Sequence, residues 1–134
     1  MKNNCFRLLK YGILAALVLF AIFVIVTFSS IYFGVKEACL LAKSEFPGDC
    51  QTALVQYIES KNHTIREKNT AIWALGQLAD TRSVEFLEEL EDLIPPSEKC
   101  QHDKHPCSYE IQKALKWSRN GNMTSWMYRN QDKW

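Results

Sequence analysis

The residues best suited to chemistry lie in one short stretch, Cys100-Gln-His102-Asp-Lys-His105-Pro-Cys107. It offers two thiols and two imidazoles, the ligand types that zinc takes. The spacing is poor for that purpose. C-x-H and H-x-C leave single-residue gaps that crowd a tetrahedron, whereas structural sites space paired ligands by about two to four residues. No metal site is therefore assigned, although Cys100, His102, His105 and Cys107 remain a candidate set. The competing chemistry is a disulfide. Cys39, Cys50, Cys100 and Cys107 are an even number of cysteines after an apolar segment, which suits two bridges in an oxidising compartment. Among the three possible connectivities, local pairing, Cys39–Cys50 and Cys100–Cys107, is favoured, because each pair brackets a break in helix where the chain can reverse. Free thiols are the outcome if the domain faces a reducing compartment. Cys5, before the apolar segment, reads as a free or lipidated thiol.

No other constellation carries chemistry. The five glycines are scattered and form no phosphate loop, and no Ser/His/Asp arrangement is evident, so the chain is read as not an enzyme, with no cofactor. His63 stands alone beside a helix cap and is expected in solvent. Asn62-His-Thr64 and Asn122-Met-Thr124 match the N-glycosylation pattern, which matters only in a eukaryotic secretory route.

The elements that would position these residues begin with Tyr11–Phe33, 23 residues without a charge. Roughly 20 apolar residues cross a bilayer. Tyr11, Tyr32 and Phe33 sit where interfacial aromatics belong. A cleaved signal peptide fits less well, since its apolar core runs only about 7–15 residues and no A-x-A site follows. A retained anchor is expected, with residues 1–10 as a cytoplasmic N-terminus. The N-terminal flank carries Lys2, Arg7 and Lys10 without an acid, which places the rest outside by the positive-inside rule. After residue 35 stand thirteen basic and fifteen acidic residues. So slightly acidic a domain argues against nucleic-acid binding.

Residues 34–48 are expected to continue as a juxtamembrane stalk, with Ala38, Leu41 and Ala42 on one face and Phe46-Pro-Gly-Asp49 as its stop. Asp49 is a good N-cap for a helix over 50–60 carrying Ala53, Leu54, Tyr57 and Ile58. Thr64 and Glu67 form a capping box that opens a helix over 65–79, whose apolar face is Ala71, Ile72, Ala74, Leu75 and Leu78. Asp80 and Ser83 turn and cap the chain into a helix over 83–93 with the stripe Val84, Phe86, Leu87, Leu90 and Leu93. Its acids, Glu85 to Asp92, read as a solvated face or otherwise an acidic docking face. Pro95-Pro96 ends it, and a last helix over 108–119 stops at Asn120-Gly121. Ala71, Ala74 and Leu75 align with Ile111, Ala114 and Leu115 at an offset of 40, and Leu54 with Leu87 at 33, periods usual for helical repeats. The insertion Pro95–Pro106 makes the difference.

The pattern Arg66…Ala71-Ile-x-Ala74-Leu75-Gly76-x-Leu78-x-Asp80, followed by Val84-x-x-Leu87, resembles a HEAT-type repeat over residues 66–93. The resemblance implies an all-α fold: one transmembrane helix, then a short right-handed α-solenoid of about two helix pairs over 49–121, and a style of function, protein–protein contact. The metal hydroxylase activity of some HEAT-type proteins uses His-Glu pairs, which this sequence lacks. Two repeats are also too little of the architecture of the related tetrapyrrole lyases.

The function expected is that of a membrane-tethered adaptor or accessory subunit whose partners are membrane-associated proteins and the bilayer. Arg66, Asn69, Trp73 and Gln77 would carry the contact. The tail 122–134 would either cap the last helix pair or bind through Trp126 and Tyr128. Two alternatives stand beside it: a metal- or redox-responsive module using 100–107, and a structural subunit held in a membrane complex mainly by its transmembrane helix.

Overall fold

The computed structural model describes residues 2–94, 100, 105–130 and 134, with side chains from residue 10. Among them the chain is all-helical: α1 (Lys2–Glu45), α2 (Cys50–Glu59), α3 (Ile65–Leu78), α4 (Val84–Asp92) and α5 (Ser108–Asn120), with short 3-10 turns at Thr81–Ser83 and Ser125–Tyr128. The chain divides into two units, Met1–Phe33 and Gly34–Trp134.

The first unit is the apolar part of α1. Its large side chains, among them Leu17, Phe20, Phe23 and Ile25, are exposed, as a lipid-facing helix requires. The hydroxyls of Thr27 and Ser30 donate back to the carbonyls of Phe23 and Val26, at 2.8 and 2.9 Å, so neither polar group is left without a partner. From Lys10 onward α1 is long and apolar enough to cross a membrane.

The second unit begins with the last turns of α1. Here the buried stripe is Val35, Cys39 and Ala42. That is a correction: Ala38 is only half-buried and Leu41 is exposed, so the face that packs is turned from the expected one, and Ala42 alone is shared. Asp49 caps α2 by accepting from the Thr52 N–H at 2.9 Å. Thr64 and Glu67 form both bonds of the capping box on α3. The core comprises Ala53, Leu54, Tyr57 and Ile58 of α2, the expected five of α3, and Ile111, Ala114 and Leu115 of α5. The residues matched at offsets 40 and 33 are thus all buried.

The α4 stripe departs from expectation. Leu87 is fully buried, but Leu93 is 79% exposed and Ile94, beyond the helix, is buried instead. Ser83 does not cap α4; it is buried and its hydroxyl accepts from Gln51 at 3.4 Å. His63 is likewise not solvated. Its ring stacks on Tyr57 with centroids 3.6 Å apart and meets Phe46 edge-on. Its Nε2 lies 3.2 Å from Glu45 Oε2, within ion-pair reach but without hydrogen-bond geometry. Burial, with help from Glu67 and Glu45, raises the Tyr57 hydroxyl above its usual range.

α3 packs against both α2 and α5, and α5 also packs against α4. α3 and α5 run side by side in the same direction: Asn69 reaches Cys107 at one end, and Gly76 meets Ala114 seven residues further along each helix. Gly76 is required there, because a methyl group at 76 would stand 2.6 Å from Ala114 Cα. The starts of α2 and α4 also adjoin. Arg82 spans from Asp80, which caps the 3-10 turn, to Asp49, which caps α2, with contacts of 2.6 and 2.8 Å.

Candidate partner-binding cleft

α3 presents a second face besides its core stripe. Arg66, Asn69, Thr70 and Trp73 recur at spacings of three and four, so they share one side of the helix. The parallel course of α5 sets Tyr109 and Glu110, in its first turn, opposite that face. The Cys100–Cys107 disulfide completes the wall, with its Cα atoms 4.7 Å apart. Together they enclose a cleft of about 760 Å³. Three of the residues predicted for partner contact, Arg66, Asn69 and Trp73, are therefore brought together.

Each wall is held by an identifiable contact. Asn69 Oδ1 accepts from the Cys107 N–H at 2.8 Å, tying the middle of α3 to the start of α5. Trp73 is half-buried, with its ring against Gly34: a methyl group there would meet Trp73 Cζ3 and Cη2 at 3.4 and 3.2 Å. Tyr109 is 63% exposed, and the Lys113 ammonium lies 5.7 Å from its ring centre and 4.8 Å from that of Trp117. Arg66 is exposed and makes no side-chain ion pair among the described residues, and neither does Glu110. The cleft thus combines two accessible aromatic surfaces, a cation and an acid.

Gln77 is not part of this face. It is 5% exposed and accepts from the Thr124 hydroxyl at 2.6 Å. Asn122 Nδ2 donates to the carbonyls of Gly76 and Gln77, both at 3.1 Å, so the tail satisfies the open end of α3. Tyr128 is 2% exposed and packs edge-on against Trp134, whose carbonyl accepts from the Lys43 ammonium. Trp126, by contrast, is 60% exposed. The tail therefore does what a cap does, and of its two proposed anchors only Trp126 is accessible.

The four cysteines form the local pairs, and Cys39–Cys50 joins α1 to α2 with Cα atoms 5.1 Å apart. With Cys100 and Cys107 bonded to each other, they do not supply the two thiolates of the candidate zinc set. His102 lies outside the described residues, and His105 Nδ1 is 3.0 Å from the Pro106 carbonyl.

Tyr109 and Glu110 were not foreseen. The signal existed: the offset of 40 that matches the core residues also matches Asn69 to Tyr109 and Thr70 to Glu110. Extending the repeat from its buried to its exposed positions finds them. No family model, curated protein or solved structure matches the chain.

Proposed function

We propose that this chain is a single-pass membrane protein, N-terminus cytoplasmic, whose extracytoplasmic HEAT-like domain is a non-enzymatic adaptor that holds a partner protein close to the bilayer. The observation that carries the proposal is the cleft, where Arg66, Trp73 and Tyr109 converge. Trp, Tyr and Arg are the residues that dominate binding energy at protein interfaces, and here all three line one concave surface. The parallel course of α3 and α5, which is how the second helices of successive HEAT-type repeats stack, supports a solenoid, and its right hand is what the resemblance implies. The flanking charges Lys2, Arg7 and Lys10 support the orientation.

The test is cross-linked purification of the full chain from native membranes, compared with Trp73→Ala and Arg66→Ala. Both variants keep their helical circular dichroism and lose a common set of partners. A Trp73→Ala protein that folds and keeps every partner overturns the proposal. Replacing Tyr11–Phe33 with an unrelated apolar helix leaves the partners unchanged for an adaptor and removes them for a subunit held by its transmembrane helix.

A further inference from the structure

Thiol–disulfide exchange separates the two bridges. A thiolate must reach a disulfide sulfur to attack it, so exchange follows access. Cys39 and Cys50 are 0% and 1% exposed, in the core where α1 meets α2. A thiol reaches them only when that part of the fold opens, and core elements open at a free energy close to that of global unfolding. Cys100 is exposed, while Cys107, its partner, is 5% exposed. The second bridge is therefore open to attack in the folded chain, from its Cys100 side.

The departing sulfur is defined as well. Cys107 is the N-cap residue of α5, and its side chain makes no capping hydrogen bond. The first N–H groups of a helix lack partners within it, and their partial positive charge favours a thiolate at that end. Arg66, a cation lining the same cleft, adds to this, and Glu110 in the first turn opposes it. A sulfur that is stabilised as thiolate leaves faster. The start of α5 also has ties that do not depend on the bridge. The Cys107 N–H donates to Asn69 Oδ1 at 2.8 Å, and its carbonyl accepts from the Glu110 and Ile111 N–H groups at 3.0 and 3.1 Å.

We infer that Cys100–Cys107 is an exchange site for a dithiol oxidoreductase, which reduces it through a mixed disulfide at Cys100, while Cys39–Cys50 stays closed. The thiolate of the oxidoreductase attacks Cys100 Sγ. The new S–S bond forms, the bond to Cys107 breaks, and Cys107 leaves as a thiolate with the electron pair. The second thiol of the oxidoreductase gives its proton to solvent and attacks its own sulfur in the mixed disulfide, and Cys100 leaves as a thiolate that is protonated by water. The bridge gains two electrons and the dithiol becomes a disulfide. This goes beyond the adaptor reading, because a chain with an empty cleft would exchange in the same way.

The test uses the full chain in detergent, oxidised, with Cys5 first blocked by N-ethylmaleimide. Dithiothreitol is added for increasing times, new thiols are trapped with a heavier maleimide, and the labelled peptides are resolved by mass spectrometry. Cys100 and Cys107 are expected to label together, and Cys39 and Cys50 about a hundredfold more slowly or less, because they wait on opening of the core. In concentrated urea the two rates converge. A thioredoxin whose second active-site cysteine is replaced by serine, quenched with maleimide, is expected to be captured on Cys100 with the label on Cys107. The chain reduced only at this bridge keeps its helical circular dichroism. Equal rates in the folded chain overturn the inference, as does capture on Cys107 or on the core pair. Collapse of the helical signal on reducing Cys100–Cys107 alone also overturns it, since the bridge would then be structural.

Discussion

The two disulfides have nearly the same span and opposite surroundings. Cys39–Cys50 closes a separation of 11 residues inside the core, where both residues are at most 1% exposed. Cys100–Cys107 closes a separation of 7 at the rim of the cleft, with Cys100 exposed and Cys107 buried. Chain entropy alone ranks them almost equal, at about 2.5–3 kcal/mol each. The difference must therefore come from what each bridge touches. One fixes the last turns of α1 to α2. The other lines the cleft together with Arg66, Asn69 and Trp73.

The largest expected effect separates them most sharply. Replacing both Cys39 and Cys50 by alanine removes the bridge and two fully packed sulfurs, for a loss of about 4 kcal/mol. In a domain of this size that lowers the melting temperature by about 15 °C or more, readable by circular dichroism of the full chain in detergent. Replacing Cys100 and Cys107 by serine costs at most about 2.5 kcal/mol, but removes most cross-linking to partners. Partner loss from the core pair in a chain that still folds, with none from the rim pair, would reverse the assignment.

Gly76 asks whether the wall between core and cleft is as rigid as the bridges. Glycine to alanine in a helix ordinarily gains about 0.5–1 kcal/mol. Here the added methyl meets Ala114 backbone at 2.6 Å, so Gly76→Ala is expected to lose about 1–2 kcal/mol net. A rise in melting temperature would show that α3 and α5 can move apart without cost. Asn122→Ala leaves two carbonyls at the end of α3 without their donor and costs about 1 kcal/mol. Partner cross-linking should survive it, because Asn122 acts on the fold and not on the cleft.

What the sequence disclosed follows the same division. The starts of α2 and α3 were legible because their causes are local: Asp49 bonds three residues ahead, and Thr64 and Glu67 bond each other. The buried halves of α2, α3 and α5 followed from periodicity. Periodicity failed where partners come from far along the chain. Gln77 reads as exposed until Thr124, 47 residues later, returns to cover it. His63 reads as solvated because Tyr57, which stacks on it, and Phe46, which meets it edge-on, lie in separate segments. At the end of α4 the helix stops at Asp92, so the helical period no longer assigns Leu93 and Ile94, and the latter turns inward. The cleft was half legible: its α3 side was chosen by residue type, while its α5 side needed the repeat offset carried onto surface positions.

The smallest effect concerns a tie with no covalent bond at all. Arg82 joins the caps of α2 and the 3-10 turn, as Cys39–Cys50 joins α1 and α2, but from a half-exposed position. Burial alone would raise Asp49, yet its bonds to Thr52 and Arg82 outweigh that and hold it below the usual carboxylate value; at Asp80 the Arg82 hydrogen bond does so directly. A carboxylate with a lowered folded pKa contributes stability that is complete above its unfolded value, near pH 4, and is lost as the pH falls through the folded value. Arg82→Met should therefore cost about 1 kcal/mol or less at neutral pH, because the pair is partly solvated. That cost should shrink steadily in urea titrations taken from pH 5 towards pH 2, as the two aspartates take up protons in the parent chain. A cost that stays constant across that range would show that Arg82 acts through packing of its stem, and that the two caps are joined without the charge.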